Sequence, residues 1–370
     1  MTEEQGRYST WAMVDLDAIK NNVQYILNRT RTQVMAIVKA NAYGHGAVPV
    51  AQAALDAGAS WCGVARVNEA LELREAGLDC SILILGYTPP VQYQEMISHQ
   101  VSMTVWNRRQ IEGISAAAAG IKKTARLHLN VDTGMSRLGA EPGDVIRLLE
   151  MSAHLPYIQF EGLFTHFARA DEAEQAPTDA QEELFQDLMA KLKTAGIQIP
   201  LIHAANSAAS LTRPSVYFNC VRLGIAMYGL HPSSECPLPP EFQPALTWKS
   251  VISRLKNFPK GRGISYGHEY ITSQNERIGT VPVGYADGFR RVAGNYVLVR
   301  GRKTPVVGRV TMDQIMVQLD AVPDVREGDE VVLIGEQNRN RITAEQVAGR
   351  WGTINYEVTS GIAHRVPRIY

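Results

Sequence analysis

The chain has 370 residues, 45% apolar and 20% charged, and its 37 Lys and Arg balance 37 Asp and Glu. That length suggests about two domains with a sizeable core, and zero net charge offers neither nucleic acid nor a membrane surface a basic patch. The four cysteines, Cys62, Cys80, Cys220 and Cys236, form no C-x-x-C pair, which excludes a disulfide framework and a zinc site and points to a reducing cytoplasm.

The opening residues Met1-Thr2-Glu3-Glu4-Gln5 lack the basic start and apolar stretch of a signal peptide. No apolar run reaches the roughly 20 residues of a membrane helix. From there, short runs rich in Val, Ile and Leu predict strands over 33–38, 61–65, 82–85, 101–105, 125–131, 160–167, 201–205 and 220–223. Helical patterns lie between them, over 67–76 and 182–194, with Gly196 placed to end the latter. Near-continuous apolar strands alternating with helices predict a parallel sheet buried on both faces. About eight such units over roughly 200 residues favour a (β/α)8 TIM-type barrel, with an open doubly wound sheet as the alternative from pattern alone.

Five prolines between Pro232 and Pro244 mark a linker. Beyond it, strands are expected over 246–255, 277–283, 296–299, 305–310, 315–319, 330–334 and 355–358, and a helix over 343–351 with Thr343 as N-cap. Strands without intervening helices predict a mainly antiparallel β domain. The expected division is 1–240 and 241–370, with an early strand at 11–14 free to pair with the C-terminal domain.

Lys39 closes the first barrel strand, at the strand end where barrel enzymes keep their active sites. A desolvated lysine has a depressed pKa and can form a Schiff base, whereas a lysine snorkelling to the surface is the structural alternative. His166 closes run 160–167, Asn206 and Ser207 follow 201–205, and Arg222 and Gly224 stand at the last strand. Arg137 follows Asp132-Thr133-Gly134-Met135-Ser136. Singly these read as a core histidine, a cap and surface charges; together they converge on one rim. Ser207, Gly224 and the amide of Ile225 have the chemistry of a phosphate cradle. His45, His128 and His203 show no metal-ligand spacing and read as structural. Asp171, Arg290, Arg291 and Arg309 are candidates for a substrate corridor, or plain solvated charges.

The run from Ala36 through Lys39-Ala40-Asn41-Ala42-Tyr43-Gly44-His45-Gly46 resembles the pyridoxal-phosphate attachment motif of the alanine racemase family. The resemblance continues through 131–139, 164–167, 205–207 and 221–225, and then 264–267, 284–288, 308–313 and 354–357. It implies a pyridoxal 5'-phosphate-dependent isomerase of the cytoplasm that interconverts L- and D-alanine and supplies D-alanine for peptidoglycan. Cα would exchange its proton between two bases, Lys39 on one face and Tyr266 on the other. It implies cofactor contacts for Tyr43, His166, Asn206, Ser207, Arg222, Gly224, Ile225 and Tyr356. Arg137 and Met312 would hold the substrate carboxylate, with Asn130, Tyr285 and Asp313 in support. No metal is implied. An Arg at the ring nitrogen, where many pyridoxal enzymes place a carboxylate, would keep its own proton, leave the ring uncharged and weaken the electron sink, favouring proton exchange over side reactions. Tyr266 and Met312 would come from the second subunit of a homodimer.

One departure stands out. Many members carry a carbamylated Lys where this chain has Asn130, and an amide cannot neutralise Arg137. Asn130 is therefore expected to position Arg137 directly, with a bound anion such as chloride supplying charge. A racemase for serine, a decarboxylase on the same plan and a non-catalytic cofactor carrier are the alternatives. The weak sink implied at Arg222 speaks against the second, and the Ile264-Ser265-Tyr266-Gly267 segment against the third.

Overall fold

The computed structural model describes residues 7–370, so the signal-peptide reading of residues 1–5 falls outside the described residues. The chain divides into two compact units: Asp17–Ala42 with Ala47–Gln243, and residues 7–16 with Tyr43–Gly46 and Pro244–Tyr370. No helix among the described residues is long and apolar enough to cross a membrane.

After strand β1 (Thr10–Val14) and helix α1 (Leu16–Thr30), eight parallel strands form the first unit. They are β2 (Gln33–Ile37), β3 (Trp61–Val64), β4 (Ser81–Ile84), β5 (Val101–Val105), β6 (Ala125–Asn130), β7 (Ile158–Phe164), β8 (Leu201–His203) and β9 (Cys220–Leu223). Between them run α2 (Ala47–Asp56), α3 (Val67–Glu75), α4 (Tyr93–Ser98), α5 (Arg108–Ile121), α6 (Val145–Ser152), α7 (Ala176–Thr194) and α8 (Ser207–Thr212). The sheet order β8-β7-β6-β5-β4-β3-β2-β9 follows the chain except that β9 returns to β2, curling the sheet into a nearly closed barrel. The Arg222 N–H donates to Ala205 O at 2.9 Å across the seam. Strands β3 and β5 are buried at every position, which explains why apolar residues dominate both; Ser102 and Thr104 are the polar exceptions in β5.

Cross-strand partners in register share a face. The pairs Met35↔Trp61, Met35↔Arg222, Thr104↔His128, His128↔Gly162 and Phe164↔His203 therefore face one way. That face is the interior, because the Trp61 and His128 rings lie 5.2 Å apart although their strands are three places apart in the sheet.

The second unit is built on a ten-stranded sheet, mainly antiparallel, ordered β11-β14-β17-β16-β15-β18-β10-β1-β20. Its strands are β10 (Leu246–Val251), β11 (Arg254–Phe258), β14 (Glu276–Val281), β15 (Tyr296–Val299), β16 (Arg302–Val307), β17 (Ile315–Gln318), β18 (Glu330–Gln337) and β20 (Arg368–Ile369), with β19 (Asn340–Ile342) on β18. Strands β12 (Gly263–Ile264) and β13 (Tyr270–Ile271) form a separate pair. Strand β1 runs antiparallel to β10 and parallel to β20. Helix α9 (Ala344–Trp351) starts at Thr343, whose side chain accepts from the Gln346 N–H.

Four expected elements change. The strand expected over 355–358 is helix α10 (Asn355–Ser360), whose buried Asn355, Val358 and Thr359 have the helical spacing rather than alternation. The run 246–255 breaks into β10 and β11, where Ile252 and Ser253 bond to different partners, Asp329 and Thr280. Run 160–167 ends at Phe164, so His166 stands two residues past its strand. There the Thr165 carbonyl accepts from Arg222 and the His166 carbonyl from Gln181, replacing ladder bonds. Helix α7 begins at Ala176, six residues before the expected 182, with Pro177 in its first turn.

Candidate active site

The lysine at the end of β2 opens an unusual turn. Ala40, Asn41, Ala42 and Tyr43 all have φ of 52–53°, and each left-handed non-glycine residue costs roughly 1–2 kcal/mol. The Ala40 N–H donates to Glu69 Oε1 at 2.7 Å, and the Ala47 N–H to Asn41 Oδ1 at 2.8 Å. The other Glu69 oxygen takes the amides of Ala65 and Arg66, so one α3 carboxylate ties together the ends of β2 and β3. Strain held by the surroundings in this way marks functional segments. Burial pushes the Lys39 amine below its ordinary pKa, the Arg137 and Arg222 charges add to this, and Glu69 opposes it.

Arg222 is 3% exposed and has no carboxylate in contact. Its Nη1 donates to His203 Nδ1 (2.9 Å) and His203 O (2.8 Å). Its Nη2 donates to Thr165 O (2.8 Å), Ala204 O (2.8 Å) and His166 Nδ1 (3.1 Å). The Nε–H is the one guanidinium donor without an acceptor among the described residues. Burial pushes the group down to about 10, which leaves it charged at neutrality. Burial, with Arg222, Arg137 and Lys39 nearby, holds His166 well below its ordinary value. A neutral His166 accepting at Nδ1 must carry its proton on Nε2.

Ser207 opens α8, and its Oγ accepts from the Gly224 N–H at 2.9 Å and the Ala226 N–H at 3.3 Å; Ile225, between them, is buried. Asn206 caps the same helix, its Oδ1 taking the Ala209 N–H. Asn130, buried at the end of β6, bonds through its backbone to Ala140. Arg137 lies exposed on the loop that Asp132 organises by accepting the Gly134 and Ser136 amides. No hydrogen bond between the Asn130 and Arg137 side chains is present. The barrel unit thus gathers Lys39, Arg137, His166 and Arg222 into mutual electrostatic range, with Ser207 and Gly224 in direct contact.

In the second unit the Tyr43 and Tyr356 rings lie 6.0 Å apart, and burial pushes the Tyr43 phenol up. Tyr266 is 71% exposed on a tight turn beside Ser265, whose hydroxyl donates to Arg309 O. Met312 is 52% exposed. Its loop closes on the Tyr285 segment, the Tyr285 and Ala286 amides donating to Thr311 O and Met312 O. A Cβ on Gly284 would come within 2.2 Å of Met312 O, so only glycine permits that approach. Asp313 and Asp287 share Arg365. Of the corridor candidates, Arg290 is paired with Glu357 and Arg309 with Glu269, Arg291 is exposed, and Asp171, raised by burial, takes the Ser233 hydroxyl on its carbonyl.

Sequence reading missed the part of His203, taken there as structural, which bonds Arg222 directly. The available signal was strand parity: His203 and Arg222 both point into the barrel.

The alanine racemase N-terminal domain family matches residues 14–232 and the C-terminal domain family residues 245–370. An alanine racemase of Symbiobacterium thermophilum is 44% identical over 368 residues, which is 99% of this chain and 98% of that one. The crystal structure of alanine racemase from Bacillus anthracis with bound L-Ala-P superposes with a TM-score of 0.92 at 43% identity, covering 98% of this chain and 94% of that chain. A histidine racemase from Leuconostoc mesenteroides follows at 29% identity and a TM-score of 0.91, covering 98% and 97%. The barrel and the β domain, with these likenesses, place the chain among the racemases, isomerases that invert the α-carbon of an amino acid. More narrowly, the chain belongs to the alanine racemase family.

Proposed function

We propose that this racemase interconverts L- and D-alanine with pyridoxal 5'-phosphate bound in its barrel unit. The observation that carries the reading is a lysine just past the end of β2, in electrostatic range of a buried Arg222 that keeps one donor, Nε–H, for a further acceptor. These residues fit the cofactor: Lys39 to attach it, Arg222 to donate to its ring nitrogen, and Ser207 with the Gly224 and Ile225 amides to hold its phosphate. Tyr43, His166, Asn206 and Tyr356 complete the cradle by family resemblance. Once bound, the cofactor supplies an electron sink for the charge left when Cα loses its proton.

Everything else is the work of this chain's side chains. Lys39 and Tyr266 take and return the Cα proton on opposite faces, which inverts the centre. Arg222 cannot give up its proton, so it hydrogen-bonds the ring without charging it, and the moderate sink favours simple return of the proton. Arg137 and the Met312 N–H bind the substrate carboxylate; Tyr285 and Asp313 support the Met312 loop, and Asn130 lines the barrel end of β6 without bonding Arg137. Tyr356 limits the side chain to a small one. An apolar pocket rejects one added hydroxyl poorly, so weak serine turnover is expected. The likeness to a histidine racemase makes pocket residues, rather than the fold, the determinant of scope. The product supplies peptidoglycan synthesis in the cytoplasm, and the working form is a homodimer.

Borohydride reduction of the cofactor-loaded protein, followed by digestion and mass spectrometry, tests the attachment. The cofactor mass is expected on the peptide bearing Lys39, and its recovery on another lysine, or on none, overturns the assignment.

A further inference from the structure

The polar chain that reaches Arg222 does not stop at His203. His203 Nε2 lies 3.0 Å from His128 Nδ1, and His128 Nε2 lies 3.3 Å from Glu161 Oε1. The Ser102 hydroxyl donates to the same Glu161 oxygen. Both histidines are fully buried, and the Glu161 side chain is 16% exposed. We propose that Glu161 is the remote counter-charge of Arg222, coupled to it through the neutral imidazoles of His128 and His203, and that this relay fixes how Arg222 presents its remaining donor.

Donor chemistry allows one arrangement. Arg222 only donates, so His203 Nδ1 must accept and His203 carries its proton on Nε2. That N–H points at His128 Nδ1, which must then accept, leaving the His128 proton on Nε2 to be donated to Glu161. All the bonds run one way, from the guanidinium to the carboxylate, and such aligned chains polarise cumulatively. Burial holds both imidazoles below their ordinary pKa, which keeps them neutral. Burial pushes Glu161 up, but the bonds from His128 and Ser102 outweigh it and hold the carboxyl below its ordinary value.

The fold builds this path deliberately. The β6–β7 register slips between Leu127↔Phe160 and His128↔Gly162, which leaves Glu161 as the extra residue of a bulge. Bulges re-aim side chains, and this one turns Glu161 toward His128. A Cβ on Gly162 would lie 2.1 Å from His128 Nδ1, so the missing side chain is the space the ring occupies. Phe164 stacks on His203 with centroids 4.7 Å apart and lies under the Arg222 guanidinium at 5.4 Å, while Trp61 meets His128 edge-on. Glu161 touches no reacting atom and is a positioning residue.

The inference rests on the reading of Arg222 as the cofactor's ring-nitrogen partner, and the test separates the two. Long-range 1H–15N correlation on histidine-labelled holoenzyme should show His128 and His203 neutral and protonated on Nε2. A proton on Nδ1 of His203, or a charged ring, overturns the relay whatever the cofactor does. Glu161→Gln keeps the shape and removes the charge. It should lower kcat about tenfold, leave KM for alanine within about twofold and shift the absorbance of the bound cofactor, with Glu161→Asp restoring part of each. A Glu161→Gln protein with wild-type kcat and spectrum overturns the counter-charge. If Glu161→Gln does not fold, the ring-proton assignment in the wild type decides. A protein with the expected ring protons that binds no cofactor fails the functional reading alone.

Discussion

Asn130 shows how far one side chain shifts the chemistry around it. It ends β6, points into the barrel and brings an amide where a charged group would balance Arg137. No salt bridge engages Arg137 among the described residues, and its charge reaches Lys39 and His166. Nothing at position 130 can be carbamylated, so racemisation should be indifferent to bicarbonate. Assays in carbon-dioxide-free buffer with and without added bicarbonate should agree, and a strong dependence contradicts this account. Lys39 carries the other residue-scale lesson. Its depressed pKa comes first from burial just past a strand end, and perturbed groups of this kind gather at functional sites.

Four neighbouring strands, β6 to β9, set the acid stability of the barrel. They hold His128 and His203, with His166 just beyond β7, each below its ordinary pKa chiefly through burial. An unfolded chain takes up these protons near pH 6.5 while the folded protein does not. Below that pH the unfolded state binds more protons, so stability falls as pH falls, by up to about 1.4 kcal/mol per pH unit for each group. Above it these groups contribute no slope. Melting of the cofactor-free protein should therefore be level above about pH 7 and drop between about 6.5 and 5.5; a flat profile through that window would refute the neutral-histidine assignment. Apolar side chains made the barrel strands legible because most of their positions are buried, although polar residues such as Thr104, His128, Glu161 and Arg222 stand among them. Their ends were less so. At Thr165 and Ala204 the ladder gives way to bonds from Arg222, a partner distant in sequence. Helix α10 was misread because four residues of a half-buried helix look much like a short strand.

For the molecule as a whole, the exposure of Tyr266 and Met312 is the most informative surface feature. Tyr266 and Met312 present 71% and 52% of their surface to solvent from two tight loops. The homodimer reading gives them a destination, a neighbouring subunit's site. Mixing inactive Lys39→Ala and Tyr266→Phe proteins and allowing subunits to exchange should then restore up to about a quarter of wild-type activity, since half the dimers would own one intact site. No restoration under demonstrated exchange would assign both residues to one chain. Sequence motifs revealed the residue set of the site but not the network behind it. The carboxylate that answers Arg222 stands on a bulge, and a bulge reverses the strand parity from which its direction would be read.

The central claim is that this protein inverts alanine by exchanging its Cα proton with solvent-connected bases. Incubating the cofactor-loaded protein with L-alanine in D2O tests it most directly, by following Cα by proton NMR and the enantiomers by chiral chromatography. The expected result is D-alanine appearing with deuterium at Cα; L-alanine recovered unchanged in configuration and isotope would contradict it.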